Sequence, residues 1–151
     1  MDLGLRGKVA VVSGSSDGIG YAVAHSLAQE GARIVLCARR EPLLTEARKT
    51  IEKETGAEVL ALTCDVQRLD DVRRLVREIM QRFGVIHILI NNAGSVPSIR
   101  FADIDDAQWY RMLEGKLLGY IRMTREIAPH MRKAGWGRII NIAGTAGWEP
   151  S

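Results

Sequence analysis

Val9-Ala10-Val11-Val12-Ser13-Gly14-Ser15-Ser16-Asp17-Gly18-Ile19-Gly20 is an apolar run that turns through glycines into a helical pattern, Ile19 to Leu27. A strand, a glycine turn and a helix in that order form a ready anion site. The helix N-terminus presents unpaired N–H groups and a partial positive charge. Glycine lets a phosphate approach the backbone and lets the turn take positive φ. The spacing is Gly14-x-x-x-Gly18-x-Gly20, neither Gly-x-Gly-x-x-Gly nor a lysine-bearing phosphate loop. Tight glycine turns of this kind also occur without a ligand, so the neighbouring sequence decides its meaning.

The first helix spans 18–30 and Gly31 ends it. Arg33 to Ala38 is a near-continuous apolar run, the mark of a strand buried on both faces of a parallel sheet. Pro42 suits the first turn of a second helix, whose inner face is Leu43, Leu44, Ala47 and Ile51 and which Gly56 closes. A third strand covers 58–63 and Asp65 follows it. Val72, Leu75, Val76, Ile79, Met80 and Phe83 fall at helical spacing, with Asp70 and Asp71 near the helix start and Gly84 at its end. A fourth strand, 86–90, runs into Asn91-Asn92-Ala93-Gly94.

A polar loop with Pro97 leads to one long helix from about Asp106 to about Met131. Asp105 and Gln108 have capping-box spacing, and Pro129 should bend or end the last turns. Strand five is 138–142, followed by Ala143-Gly144-Thr145-Ala146-Gly147. Apolar strands alternating with helices predict an α/β fold, a doubly wound parallel sheet with helices on both faces. The whole of 1–151 reads as one dinucleotide-binding domain.

Apolar content of 46% and charged content of 26% are ordinary for a globular protein. The net charge of +3 is spread over helical surfaces and aromatics make up 5%, which argues against a nucleic-acid partner. There is no run of eighteen apolar residues and no stretch of signal-peptide type, so the reading is cytoplasmic with no membrane partner. Cys37 and Cys64 read as buried thiols. His25, His87 and His130 are scattered and suggest no metal site.

Ligands of such sheets bind outside the carboxyl ends of the strands. Those ends carry Gly14–Gly20, Arg39-Arg40, Asp65 and Asn91–Gly94. Four polar or glycine-rich features on one rim predict a dinucleotide site. A carboxylate after strand two would bond a ribose 2′-hydroxyl and repel a 2′-phosphate. Arg39 and Arg40 stand there instead, and arginine pairs with phosphate bidentately. Arg39 therefore predicts NADP, with NAD as the alternative. Asp17 has the wrong sign to help. The competing reading makes both arginines solvated loop charges.

These residues resemble the short-chain dehydrogenase/reductase family. The likeness rests on Ser13-Gly14-x-x-x-Gly18-Ile19-Gly20, Asp65-Val66, Asn91-Asn92-Ala93-Gly94 and Gly137-Arg138-Ile139-Ile140-Asn141-Ile142. It implies a Rossmann-type sheet of strand order 3-2-1-4-5. It implies that Gly14, Ser16, Asp17, Gly18, Ile19 and Gly20 cradle the pyrophosphate and that Asp65 and Val66 flank the adenine. Asn92, Ala93 and Gly94 would border the nicotinamide-side ribose.

Family catalysis uses an Asn, a Ser, a Tyr and a Lys. Here Lys116 stands at the Asn position and Gly144 at the Ser position, with Thr145 as a possible substitute, and no Tyr-x-x-x-Lys occurs. No catalytic residue is assigned. Lys116 could be an acid of lowered pKa or a solvated surface charge. The resemblance implies an NAD(P)-dependent oxidoreductase acting on a small-molecule alcohol or carbonyl compound, here an N-terminal cofactor-binding portion, truncated after strand five and inactive alone. The alternatives are a non-catalytic nucleotide-binding member and a truncated inactive product. Ile139, Ile140 and Ile142 should lie at an exposed apolar edge, and a homo-oligomer is expected.

Overall fold

The computed structural model describes residues 3–94 and 100–144. Its elements are β1 (Val9–Ser13), α1 (Gly18–Gln29), β2 (Arg33–Ala38), α2 (Glu41–Thr55), β3 (Val59–Thr63), α3 (Leu69–Phe83) and β4 (Ile88–Asn91). After a 3-10 turn at Phe101–Asp103 come α4 (Asp106–Met112), a π-helical segment (Leu113–Leu118), α5 (Gly119–Lys133) and β5 (Arg138–Asn141). The strands form one parallel sheet in the order β3-β2-β1-β4-β5. Val11 sits at the centre, opposite Val35 on one side and Leu89 on the other.

The alternating faces of the strands explain the two helical layers. Val9, Val11, Val35 and Leu89 pack with Val72, Leu75 and Ile79 of α3 and Met123 and Ile127 of α5. Ala10, Val12, Ile34 and Leu36 pack with Ala24 and Ala28 of α1 and Leu44, Ala47 and Ile51 of α2. Each fully buried Val, Leu or Ile contributes about 1.5–3 kcal/mol relative to exposure. The small side chains of α1 let that helix lie close to β1 and β2, which carries its N-terminus to the carboxyl rim.

The expected continuous helix over 106–131 differs in two ways. It is interrupted by the π-helical segment, and it runs through Pro129 to Lys133. The interruption falls where Gly115 and Gly119 meet the loop after β3. A Cβ on Gly119 would lie 2.8 Å from Val66 Cγ2, and one on Gly115 would lie 3.1 Å from Gln67 Nε2. Pro129 is tolerated because the hydrogen bond it forgoes would go to Arg125, and both residues are exposed. The capping box is present, Asp105 and Gln108 each bonding the other's backbone N–H.

Among the described residues Ile139 and Ile140 of β5 are exposed, in line with the expectation. Ile142 departs from that expectation. It is half-buried against the α1–α2 side of the core, and its N–H donates to Asn91 O at 2.8 Å.

At the amino ends of the strands, His87 Nδ1 accepts from the Val9 N–H at 3.0 Å. Its ring meets the edge of Trp136 at 5.8 Å, and Lys8 and Arg138 lie over the Trp136 ring. Burial first, then the charges of Lys8 and Arg33, hold the His87 pKa below its ordinary value. Among the described residues no helix is long and apolar enough to cross a membrane, and no cluster of three metal-ligating side chains occurs.

Candidate functional site

A cleft of about 680 Å³ opens at the carboxyl ends of β1 to β4. Gly14, Ser16, Asp17, Gly18, Ile19, Arg39, Asp65, Val66, Asn92, Ala93 and Gly94 all line it. Gly20 does not. It is buried beneath the loop, where a Cβ would lie 2.3 Å from Gly14 O and 2.6 Å from Asn92 Nδ2. Its role is therefore close packing of α1 on the loop. Gly14 takes φ +66° and has the Ala93 backbone 2.8 Å from where a Cβ would be. Only glycine satisfies both conditions without strain.

Hydroxyls and amides hold the loop. Ser15 Oγ donates to Val12 O at 2.7 Å and accepts from the Cys37 N–H at 3.0 Å. The Gly14 N–H donates to Cys37 O at 2.8 Å. Ser13 Oγ accepts from the N–H groups of Asn92 and Ala93, each at 3.0 Å. Asn92 Nδ2 donates to Ser13 O and Gly14 O. The Asn-Asn-Ala-Gly turn thus buttresses the glycine loop and also faces the cleft. Asn91 is buried and donates to Thr124 Oγ1 and Asn141 Oδ1, tying β4 to α5 and β5.

Asp17 is the N-cap residue of α1, yet its side chain makes no capping bond. The first-turn N–H groups of α1 therefore have no carboxylate occupying them. Asp17 Oδ2 instead accepts from Arg40 Nη2 at 2.6 Å. The two side chains are 62% and 61% exposed, so this pair adds little stability. Arg39 is exposed, lines the cleft, and forms no ion pair among the described residues.

At the end of β3 the Asp65 N–H donates to Asp71 Oδ2, and Asp65 Oδ1 accepts from the Gln67 N–H. One carboxylate oxygen of Asp65 is thereby committed to its own turn. Cys37 and Cys64 are free, buried thiols that also line the cleft. A hydrogen bond with Cys64, then burial, pushes the Cys37 pKa well up, so this thiol stays protonated.

Gln67, Gln108, Arg111 and Met112 complete the walls. The capping-box spacing marks Gln108 as part of a helix start and not as a cleft residue, and no motif marks Gln67, Arg111 or Met112. Next to the cleft lies an open, mostly apolar hollow of about 790 Å³ between the α4-to-α5 helix and the end of β5, lined in part by Lys116, Tyr120 and Gly144. Lys116 packs its stem on Gly94 and sets its ammonium 4.9 Å from the Tyr120 ring centroid. Tyr120 donates its hydroxyl to Ile142 O. Gly144 is exposed with nothing near where a side chain would be. Thr145 and Pro97 lie outside the described residues.

The cleft suits a dinucleotide on its own geometry. Gly18, at the start of α1, leaves open the space a Cβ would fill, the helix N–H groups are uncapped by a side chain, and Arg39 is available.

The sequence matches the short chain dehydrogenase family over residues 8–151. It is 38% identical over 151 residues to the L-fucose dehydrogenase of Bos taurus, covering 97% of this chain and 53% of that protein. Among solved structures, L-sorbose reductase from Gluconobacter frateurii, complexed with NADPH and L-sorbose, superposes with a TM-score of 0.87 at 39% identity. That match covers 92% of this chain and 53% of the reductase. An NAD+-bound xylitol dehydrogenase superposes with a TM-score of 0.92 at 30% identity, covering 97% and 56%. The chain thus spans about half the length of the proteins it matches.

Proposed function

Since this chain belongs to the short chain dehydrogenase family, we propose that its cleft holds a nicotinamide dinucleotide, NADP in preference to NAD, for an oxidoreductase acting on a small alcohol or carbonyl compound. The observation that carries the cofactor preference is Arg39, a guanidinium just past the carboxyl end of β2 with no ion-pair partner among the described residues. Solved relatives described with NADPH and with NAD+ support the cofactor class.

In this reading the loop from Gly14 to Ile19 and the N-terminus of α1 hold the pyrophosphate, with Gly20 packing α1 beneath the loop. Arg39 meets the 2′-phosphate, Asp65 and Val66 flank the adenine, and Asn92 to Gly94 border the nicotinamide-side ribose. The nicotinamide supplies the hydride acceptor or donor. Titration with NADPH and NADH tests the reading. NADPH should bind more tightly, and Arg39→Ala should remove the difference; equal affinities in the unaltered chain would sink it.

A second reading, a nucleotide-binding member without catalysis, is favoured by Lys116 and Gly144 at the positions of the family's Asn and Ser. We propose that residues 1–151 alone reduce no carbonyl. NADPH oxidation with a panel of ketones, lost on Lys116→Ala, would overturn that. A homo-oligomer is part of the proposal, supported by the exposed Leu113, Leu117 and Ile121 on one helical surface. So is a cytoplasmic setting, supported by the two free thiols.

A further inference from the structure

We propose that the Asp17–Arg40 ion pair is a latch that sets how strongly the cleft prefers a 2′-phosphorylated cofactor, with Asp17 masking Arg40. The proposal rests on the cofactor reading above. Two arginines follow β2, but only one is free. Arg40 is pinned to Asp17 at 2.6 Å while Arg39 has no ion-pair partner among the described residues, and all three line the cleft. A 2′-phosphate arriving there meets one available guanidinium and one that must first give up its contact with Asp17.

The same contact governs Asp17. An Asp at an N-cap ordinarily turns its carboxylate back onto the first-turn N–H groups. Here no side-chain cap forms, although the backbone is extended as at other N-caps. Arg40 holds the carboxylate away from the amides that the pyrophosphate would need. Arg40 is thus a positioning residue. With it in place, Asp17 costs the site part of its 2′-phosphate affinity. Without it, the carboxylate is free to swing onto α1 and oppose any dinucleotide.

These roles separate in a double-mutant cycle on the full chain, read by titration with NADPH and NADH at low salt. Asp17→Ala should tighten NADPH about three- to tenfold, the size of one uncovered charge near a solvated anion, and leave NADH nearly unchanged. Arg40→Ala should weaken both cofactors alike, and Arg40→Lys should restore them. The double variant should return the NADPH-to-NADH ratio to that of the unaltered chain. A gain from Asp17→Ala that persists without Arg40, or no gain at all, overturns the latch. So does a loss on Arg40→Ala confined to NADPH, which would make Arg40 a direct phosphate contact. If Arg39→Ala still abolishes the preference, the cofactor reading stands and only the latch falls. If no variant binds either cofactor, both fall.

Discussion

The side-chain amide of Asn92 reaches from the end of β4 and donates to the carbonyls of Ser13 and Gly14, each at 3.1 Å. One side chain therefore fixes the glycine loop from below. Asn92→Ala should cost about 1–3 kcal/mol, because it leaves two carbonyls short of a donor in a partly buried place. Asn92→Asp should cost more, since a carboxylate there accepts only and faces two acceptors. Denaturant unfolding checks the stability. Nucleotide titration should show weaker binding of NADPH and NADH alike, because the loop and not the 2′-phosphate region is disturbed.

Gly20 and Gly18 make a contrasting pair. Gly20→Ala drives a methyl into Gly14 O and Asn92 Nδ2. Overpacking of this kind costs about 1–3 kcal/mol and shifts the loop, so binding should be lost together with stability. Gly18 has φ +56° and nothing within 4 Å of a would-be Cβ. Gly18→Ala should cost about 1–2 kcal/mol from backbone conformation alone. If Gly20→Ala keeps its nucleotide binding, the close approach at Gly20 is not what its place in the fold requires.

His87 gives stability a pH dependence of definite sign. Its folded pKa is depressed, so the unfolded chain binds the extra proton first. The contribution is complete above the unfolded value of about 6.5 and declines as pH falls through the folded value. Protonation would also remove the acceptor that Nδ1 offers to the Val9 N–H. Thermal unfolding between pH 7 and 5 should show this slope, and His87→Gln should flatten it. An unchanged slope in the variant would assign the effect to the carboxylates.

The exposed apolar row of Leu113, Leu117 and Ile121 should drive self-association. Sedimentation of the unaltered chain should show a species larger than the monomer, and Leu117→Glu should shift it to monomer. A monomeric unaltered chain would refute the expectation.

Much of this was legible in the residues. Buried runs such as Val9–Val12 and Ile34–Leu36 located strands whose parallel pairing follows from the intervening helices. The glycines and Asn92–Gly94 located the rim. What stayed hidden was set by tertiary contacts. Nothing local in Leu113 to Leu118 announces a π-helical segment, because the side chains of Val66 and Gln67, far back in the chain, meet Gly119 and Gly115 there. Asp17 could be seen to carry the wrong sign for a phosphate, but not to be paired with a residue 23 positions away. Gln108 and Arg111 reach the cleft only because of how α4 is set against it.

The hydrogen bonds of Ser13, Ser15, Cys37 and Asn92 lash the glycine loop to β2 on one flank and to the end of β4 on the other. Across the cleft, α4 contributes Gln108, Arg111 and Met112 yet buries none of its seven residues. The cleft is a vise with one fixed jaw and one lightly held. Local opening is easiest where few apolar contacts must be broken. A cofactor's entry and release would therefore work against the α4 jaw, leaving the phosphate-facing backbone in register through every cycle.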